Sequence, residues 1–518
     1  MTHPTFGLSL HALDALGSCH WNTHTTALVE MALSRGEGHL TQDGALAIDR
    51  RPGSTQPTAP AVDRLIVQGM ESGPEIAWTA QNRPLDSRLF SHLFDRLQAY
   101  LQDRELFIQD RGLGAHDSRL TRVRVITNRA SHALLARHLL REIPDDAQNP
   151  FFPDVTFFFV PDFKPHPSAD QLPGSAAAIL DIDNRVGLIV GTASIDELPR
   201  LLERLVSFDL PEEQRLPLMG TALQNRFTED VILLLGRDGV GTTRLGLKMC
   251  LDNENLEIIG DGALSISEGG LDILGNGSVS AFSDVFDELQ KTFGLLVEAK
   301  GGSLDLASRQ LLDAQGARIA WPRSALPPQR PRKVAPAPRH VFLVVRDDSG
   351  ALPPLARIDH ATATQFFALG PGVCASMNQL ALEPRIDFED CLDASRVIRP
   401  RAVYERLFAG KLARHAIQTW LINSGRVLHD TGSATEQPVE TTSLLALAAI
   451  EGDLNESSFR QDSLFGLEIP TACEGLSARE IDPIGQLKTR DVYEQHARRL
   501  VEAMTARGFV SSNAREDR

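Results

Sequence analysis

The sequence predicts a mixed α/β protein in two parts, an N-terminal domain followed by a C-terminal domain built around a phosphate-loop-like turn. Three observations carry this expectation. Strand-like and helix-like segments alternate along most of the chain. A length of 518 residues exceeds what one hydrophobic core usually organises. The run Asp230-Val-Ile-Leu-Leu-Leu-Gly236-Arg-Asp-Gly239-Val-Gly241-Thr242-Thr243 reads as a buried strand entering a glycine loop and then a helix.

Residues 1–40 mix helix and loop signals and read as an N-terminal extension. Residues 41–226 read as the first domain. There, Gly44–Asp49 suggests a short strand, followed by a Pro/Gly/Ser/Thr-rich loop through Pro60. Residues 86–103 place Leu89, Leu93, Leu97 and Leu101 at helical spacing. Strands are expected at Leu106–Gln109, Val123–Thr127 and Val155–Val160, a strand pair over 177–192, and an amphipathic helix over 196–207.

Residues 227–518 read as the second domain. The strand 230–235 is apolar on both faces, a helix follows over Thr243–Met249, and Leu256–Asp261 reads as a further strand. Between 260 and 277 six glycines suggest hairpin turns. Pro322 to Arg339 holds six prolines and five arginines or lysines and reads as a solvated loop. A strand is expected over His340–Arg346, and a C-terminal helix over 490–507 with Val492, Leu500, Val501 and Met504 inward.

Composition narrows the class. Hydrophobic residues are 42% and charged residues 23%, ordinary for a globular protein. A net charge of −16 argues against nucleic acid or an anionic membrane as partner. No apolar run approaches the roughly 20 residues of a membrane span, and no basic-then-apolar leader is visible. Cys19, Cys250, Cys374, Cys391 and Cys473 show no C-x-x-C spacing, so free thiols and a cytoplasmic location are expected. Cys19, His20 and His24 lack a fourth ligand and read as ordinary side chains. His360, His415 and His429 have no acid or nucleophile at telling spacing and read as structural; Trp21, Trp78, Trp321 and Trp420 read as packing residues.

The glycine loop carries the chemistry. In G-x-x-x-x-G-K-[ST], glycines turn backbone N–H groups toward phosphates, lysine supplies a point charge and the hydroxyl faces a metal. Gly236 and Gly241 keep the spacing and Thr243 keeps the hydroxyl, but Thr242 stands where lysine belongs. The phosphate-facing set is then Gly236, Gly239, Val240, Gly241, Thr242, Thr243 and Arg244.

The order of segments resembles the ATP-dependent phosphoenolpyruvate carboxykinase family. Gly44–Asp49, Val62–Val67, Val123–Thr127, Val190–Glu197, the glycine loop, Ile259–Asp261, Ala317–Pro322, Asp348–Pro354, Leu467–Thr471 and Ile481–Pro483 occur in the family's order. The resemblance spans roughly 40 to 505 and implies a bilobal fold with ATP and a divalent metal on the C-terminal domain. Phosphoryl transfer in such a site depends on preorganised cations more than on covalent chemistry.

Carried over residue by residue, the resemblance implies a degenerate site. The substrate-carboxylate arginine loop falls on Gln56–Ala61, which has no arginine. The substrate-site tyrosine falls on Ser194, and the paired lysines, one a metal ligand, on Pro199 and Arg200; arginine is a poor ligand because it does not deprotonate. The metal-binding histidine falls on Gly220, the metal-binding carboxylate on Gly262, the loop lysine on Thr242 and an adenine-side arginine on Ser443. Arg318, Thr243 and Asp261 survive as site candidates, with Arg200 as a remaining cation.

The expected function is therefore a carboxykinase-like pseudoenzyme that binds, scaffolds or regulates, with an unidentified protein or anionic small molecule as partner. The enzyme alternative is a repurposed phosphotransferase with ATP or another phosphate ligand, and with Mg²⁺ or Mn²⁺ if the site has been rebuilt. In that reading Arg237 or Arg244 replaces the lysine, and Asp230, Asp238 or Asp261 supplies carboxylates to a relocated metal. A third reading keeps the loop as a nucleotide or anion sensor without catalysis.

Overall fold

The computed structural model describes residues 8, 17–49, 61–116, 120–143, 151–281, 294–299, 304–305, 310–311, 317–325, 332–374, 384–429, 434–454, 459–487 and 490–511. Two compact units divide the chain, and both are discontinuous: residues 1–209 with 272–333, and 210–271 with 334–518.

The first unit is organised on a mixed sheet. Its order is Cys19–Trp21, Leu106–Leu113, Thr121–Thr127, Val155–Val160, Val186–Val190, Ala177–Asp181, Asp63–Val67 and Arg83–Leu85. Val155–Val160 is buried along its whole length, as its run of phenylalanine and valine requires for a strand covered on both faces. The helix Ser87–Leu101 lays Phe90, Leu93, Leu97 and Leu101 on this sheet, while Leu89 packs only at the margin. Asp86 caps that helix by accepting from the Arg88 amide at 2.8 Å.

A second sheet explains why the unit is discontinuous. It runs Gly277–Ala281, Arg318–Pro322, Leu296–Ala299, Leu46–Asp49 and Gly38–Leu40. Leu296–Ala299 pairs parallel with Leu46–Asp49, so a distant segment of chain completes the sheet that the early strand begins. Residues 17–40 are likewise no extension. Cys19–Trp21 pairs with Leu106–Ile108, and the helix Thr25–Ser34 and the strand Gly38–Leu40 follow within the unit.

The second unit holds a sheet containing the order Leu256–Ile266, Leu216–Asn225, Val231–Gly236, Pro338–Val345, Gln418–Asn423, Leu355–Ile358, Glu468–Pro470 and Phe459–Gln461. Leu216–Asn225 pairs antiparallel with Val231–Gly236, so the division lies at Asp209/Leu210 and not at the expected 226/227. Val231–Gly236, Pro338–Val345 and Gln418–Asn423 run parallel, and the glycine loop leaves the C-terminal end of the first. That is where open α/β sheets present ligand-binding loops.

Three further expectations are corrected. Gly260 and Gly262 do not form hairpin turns; the strand continues to Ile266 before turning back at Gly270. The Pro322–Arg339 segment is not all loop: its described part includes the end of Arg318–Pro322, a turn of 3₁₀ helix at Arg323–Ala325 and the short strand Val334–Ala335, and 326–331 lie outside the described residues. In the C-terminal helix Asp491–Thr505, Tyr493, Ala497, Leu500 and Met504 face inward, whereas Val492 is exposed and Val501 half-buried. Those four buried positions follow the i, i+4, i+7, i+11 repeat of one helical face.

Candidate functional site

The glycine loop folds as its residue types dictate. Gly239 and Gly241 take φ of +84° and +90°, a region that favours residues without a Cβ. Gly236 is glycine for lack of room: a Cβ there would meet Val240 Cγ2 at 2.5 Å and the Val344 carbonyl at 2.7 Å. The helix Thr242–Asp252 starts directly from Gly241. Amides at the first positions of a helix have no intrahelical acceptor, so those of Thr242, Thr243 and Arg244 remain available to an anion. Val240 departs from the expected set, because its amide donates to the Arg237 carbonyl at 3.2 Å and its side chain is buried.

Behind the loop, one carboxylate gathers two hydroxyls. Thr243 Oγ1 donates to Asp261 Oδ1 at 2.9 Å, and Thr221 Oγ1 donates to the same oxygen at 2.6 Å. The surviving pair Thr243–Asp261 is thus assembled. Thr221 was not singled out from the sequence; its place beside Gly220 and directly across from Asp261 in the ladder is the signal that could have found it.

The two positions that the resemblance matches to metal ligands lie together. Gly220 and Gly262 stand directly opposite each other on paired antiparallel strands. A Cβ on Gly220 would lie 2.3 Å from the Leu234 carbonyl oxygen, and Gly262 has φ +98°. The backbone at both sites favours a residue without a Cβ, by crowding at Gly220 and by positive φ at Gly262. Beside these two glycines the described donor is the Asp261 carboxylate, whose Oδ1 accepts from two hydroxyls, and one carboxylate is a sparse protein donor set for a divalent cation. Among the described residues no group of three His, Cys, Asp or Glu side chains is placed to hold a metal. Asp230 is at the far end of the strand from Gly236, ion-paired with Arg339 at 2.9 Å, so it cannot serve a metal at the loop.

Of the two arginines that could replace the lysine, Arg237 is committed elsewhere. Its Nη1 donates to Asp387 at 2.5 Å and its Nη2 to Glu389 at 2.7 Å. Burial works against its charge, but the two carboxylates more than offset this and hold its pKa above the ordinary arginine value. Nothing local signals this clamp, since its acids come 150 and 152 residues later. Arg244 is exposed on the first turn of the helix, as is Asp238 within the loop. Ser443, where an adenine-side arginine was expected, is fully buried and donates to Asp252 Oδ2 at 2.7 Å.

The first unit holds the other survivors. Arg318 lies on the strand Arg318–Pro322 with Nε 3.5 Å from Asp196 Oδ2. Asp196 also accepts the Arg200 amide through its carbonyl, at 3.3 Å, as the helix Glu197–Asp209 begins. Ser194 is fully buried, and its amide donates to Thr192 Oγ1 at 3.1 Å. Of the arginine-free loop Gln56–Ala61, residues 56–60 lie outside the described residues.

The remaining histidines and tryptophans take structural positions. His360 donates to the Ile417 carbonyl at 2.6 Å, His415 to that of Ser267 at 3.3 Å, and His429 pairs with Thr435 Oγ1 at 2.7 Å. His20 contacts Glu105 at 2.6 Å and His24 caps the helix Thr25–Ser34. Trp321 and Trp420 are buried; Trp78, expected to pack, is exposed. All five cysteines are free thiols.

Residues 17–479 match the family model described as phosphoenolpyruvate carboxykinase. Relatives named phosphoenolpyruvate carboxykinase (ATP) include one from Geobacter metallireducens, 28% identical over 98% of both chains. Others come from Sinorhizobium fredii, 28% identical over 97% of this chain and 94% of that one, and from Thermus thermophilus, 28% identical over 95% of each. The chain belongs to the phosphoenolpyruvate carboxykinase family.

Proposed function

We propose that this member of the phosphoenolpyruvate carboxykinase family is a pseudoenzyme, which keeps the family scaffold for a binding, scaffolding or regulatory role without ATP-dependent carboxykinase turnover. The observation that carries the reading is the facing pair Gly220 and Gly262: a Cβ on Gly220 would meet the Leu234 carbonyl, and Gly262 has a positive φ that strains any side-chain-bearing residue. Thr242 in place of lysine and the sequestered Arg237 support it independently. Loss of a single preorganised donor in such a site costs roughly 3–4 kcal/mol of transition-state stabilisation. Several such losses leave little of a parent rate, even without strict additivity.

Under this reading the loop retains the amides of Thr242, Thr243 and Arg244 at a helix start, which favours anion sensing over catalysis as its residual use. A rebuilt phosphotransferase is less well supported, because Arg237 is held by Asp387 and Glu389 and Asp230 is at the wrong end of its strand. The test is a coupled assay of purified protein with oxaloacetate, ATP and Mn²⁺ or Mg²⁺, run beside Arg318→Ala. Turnover at the level of the Arg318→Ala control supports the reading. Metal-dependent turnover abolished by Arg318→Ala overturns it.

A further inference from the structure

Apart from the glycine loop, a cavity of about 510 Å³ in the first unit is lined by Arg137, His138, Arg141, Glu142, Asn276 and Lys333, among others. The volume is that of a small-molecule site, which typically spans about 300–1,000 Å³. Its charge is unusual for this chain. Three cations line it against one carboxylate, in a protein whose net charge is −16.

The fold explains how these cations converge. Arg137 and His138 end the helix Ala130–Leu139, Arg141 follows it, and Lys333 precedes the strand Val334–Ala335. Helix carbonyl ends favour positive charge, which accounts for part of the clustering. It does not account for Arg137 Nε, which is buried without a hydrogen-bond acceptor. An unmet buried donor carries a cost, and here it belongs to a residue lining the cavity.

The other groups sharpen the electrostatics. Glu142 is 76% exposed and accepts from Arg137 Nη2 at 3.1 Å and Arg111 Nη1 at 3.2 Å. His138 donates to the Gly294 carbonyl at 2.8 Å and is held neutral, its pKa lowered to about 4 by burial and by Arg137, against that hydrogen bond. Beside the lining residues Pro322 and Ser324, Arg323 is fixed by the carbonyls of Arg332 and Gly275 at 2.7 and 2.9 Å. Burial chiefly, and the neighbouring Arg141 after it, lower its pKa to about 10.

We propose that this cavity binds a compact anion carrying two or more negative charges, with Arg137 and Lys333 as ion-pairing cations and Arg141 at its wall. Phosphate and carboxylate groups share the required chemistry, since both accept from guanidinium in a bidentate manner. The site belongs to a different unit from the glycine loop and does not depend on the pseudoenzyme reading.

The experiment is isothermal titration of the full-length protein with inorganic pyrophosphate and, separately, with citrate at fixed ionic strength. We expect saturable binding of at least one of them. Arg137→Gln should weaken that binding roughly tenfold or more, Arg137→Lys should weaken it less, and Arg244→Gln should leave it intact. A preference for pyrophosphate assigns a phosphate ligand, and a preference for citrate assigns a polycarboxylate. Absence of binding by either anion overturns the proposal. Binding that survives Arg137→Gln also overturns it, and its weakening by Arg244→Gln would place the anion at the glycine loop. If Arg137→Gln does not fold, the exposed Lys333→Gln decides: unchanged affinity overturns the proposal, and weakened affinity upholds it.

Discussion

Gly220→Ala should destabilise the second unit, although it adds a single methyl group to a strand. The new Cβ would lie 2.3 Å from the Leu234 carbonyl oxygen and 2.9 Å from Leu235 Cδ2. Ordinary contacts of this kind are no closer than roughly 3.3 Å, so the neighbouring backbone must retreat by about an ångström. It has nowhere to go, because Val231–Gly236 is hydrogen-bonded to Leu216–Asn225 on one side and Pro338–Val345 on the other. Overpacking of this sort costs about 1–3 kcal/mol, while the loss of glycine freedom in the unfolded chain returns about 0.4–1 kcal/mol. With about an ångström of overlap against backbone the upper part of that cost applies, roughly 2–3 kcal/mol, and the net expectation is a loss of about 1–2.6 kcal/mol. Gly410 is the control: it lies in the helix Arg401–His415, and a methyl group added there would meet nothing within 4 Å, so Gly410→Ala should stabilise by up to about 1 kcal/mol. Guanidinium denaturation followed by circular dichroism should shift in opposite directions for the two variants. A neutral or stabilising Gly220→Ala would refute the reasoning, since a side chain could then return to that position.

Other perturbations separate the parts of the account. Thr242→Lys should tighten nucleotide binding, because a charge-assisted contact worth about 1.5–3 kcal/mol outweighs a helix-dipole penalty of about 0.3–1 kcal/mol, without carboxykinase turnover; turnover from this change alone would contradict the reading of Gly220 and Gly262. Arg237→Ala should lower stability by about 1–3 kcal/mol through the stranded Asp387 and Glu389, yet leave phosphate affinity within about twofold by calorimetry; a collapse of affinity would show that Arg237 faces the ligand. Acidification should destabilise the fold through buried histidines. Burial lowers the pKa of His132 to about 3, so between its unfolded value near 6.5 and about 3 the unfolded chain binds the extra proton and stability falls with pH. His132→Gln should flatten the melting-temperature profile over that window, and an unchanged slope would argue against it.

Local patterning made much of the fold legible. The strand Val155–Val160 and the strand–loop–helix at 231–252 follow from runs of apolar residues and from glycine spacing. Long-range pairing was not legible. No local signal joins Leu296–Ala299 to Leu46–Asp49, so the return of 272–333 to the first unit escaped the sequence. The site divides similarly. Thr243 was identifiable from the loop motif and Asp261 from the family resemblance, whereas the clamp on Arg237 depends on a strand pair far along the chain. Asp230 is a different case: a strand rises about 3.3 Å per residue, so its separation from the loop could have been worked out from the sequence. In the C-terminal helix, hydrophobicity alone puts Val492 inward, but the phase of the helix selects Tyr493 and Ala497.

The central claim is that the metal centre has been dismantled, and titration of Mn²⁺ into the full-length protein, followed by electron paramagnetic resonance of the free ion, tests it most directly. The account predicts no stoichiometric site at the glycine loop, so the free-ion signal should be the same for the unmodified protein and for Asp261→Asn. Loss of one equivalent of free Mn²⁺ per chain, restored by Asp261→Asn, would contradict it.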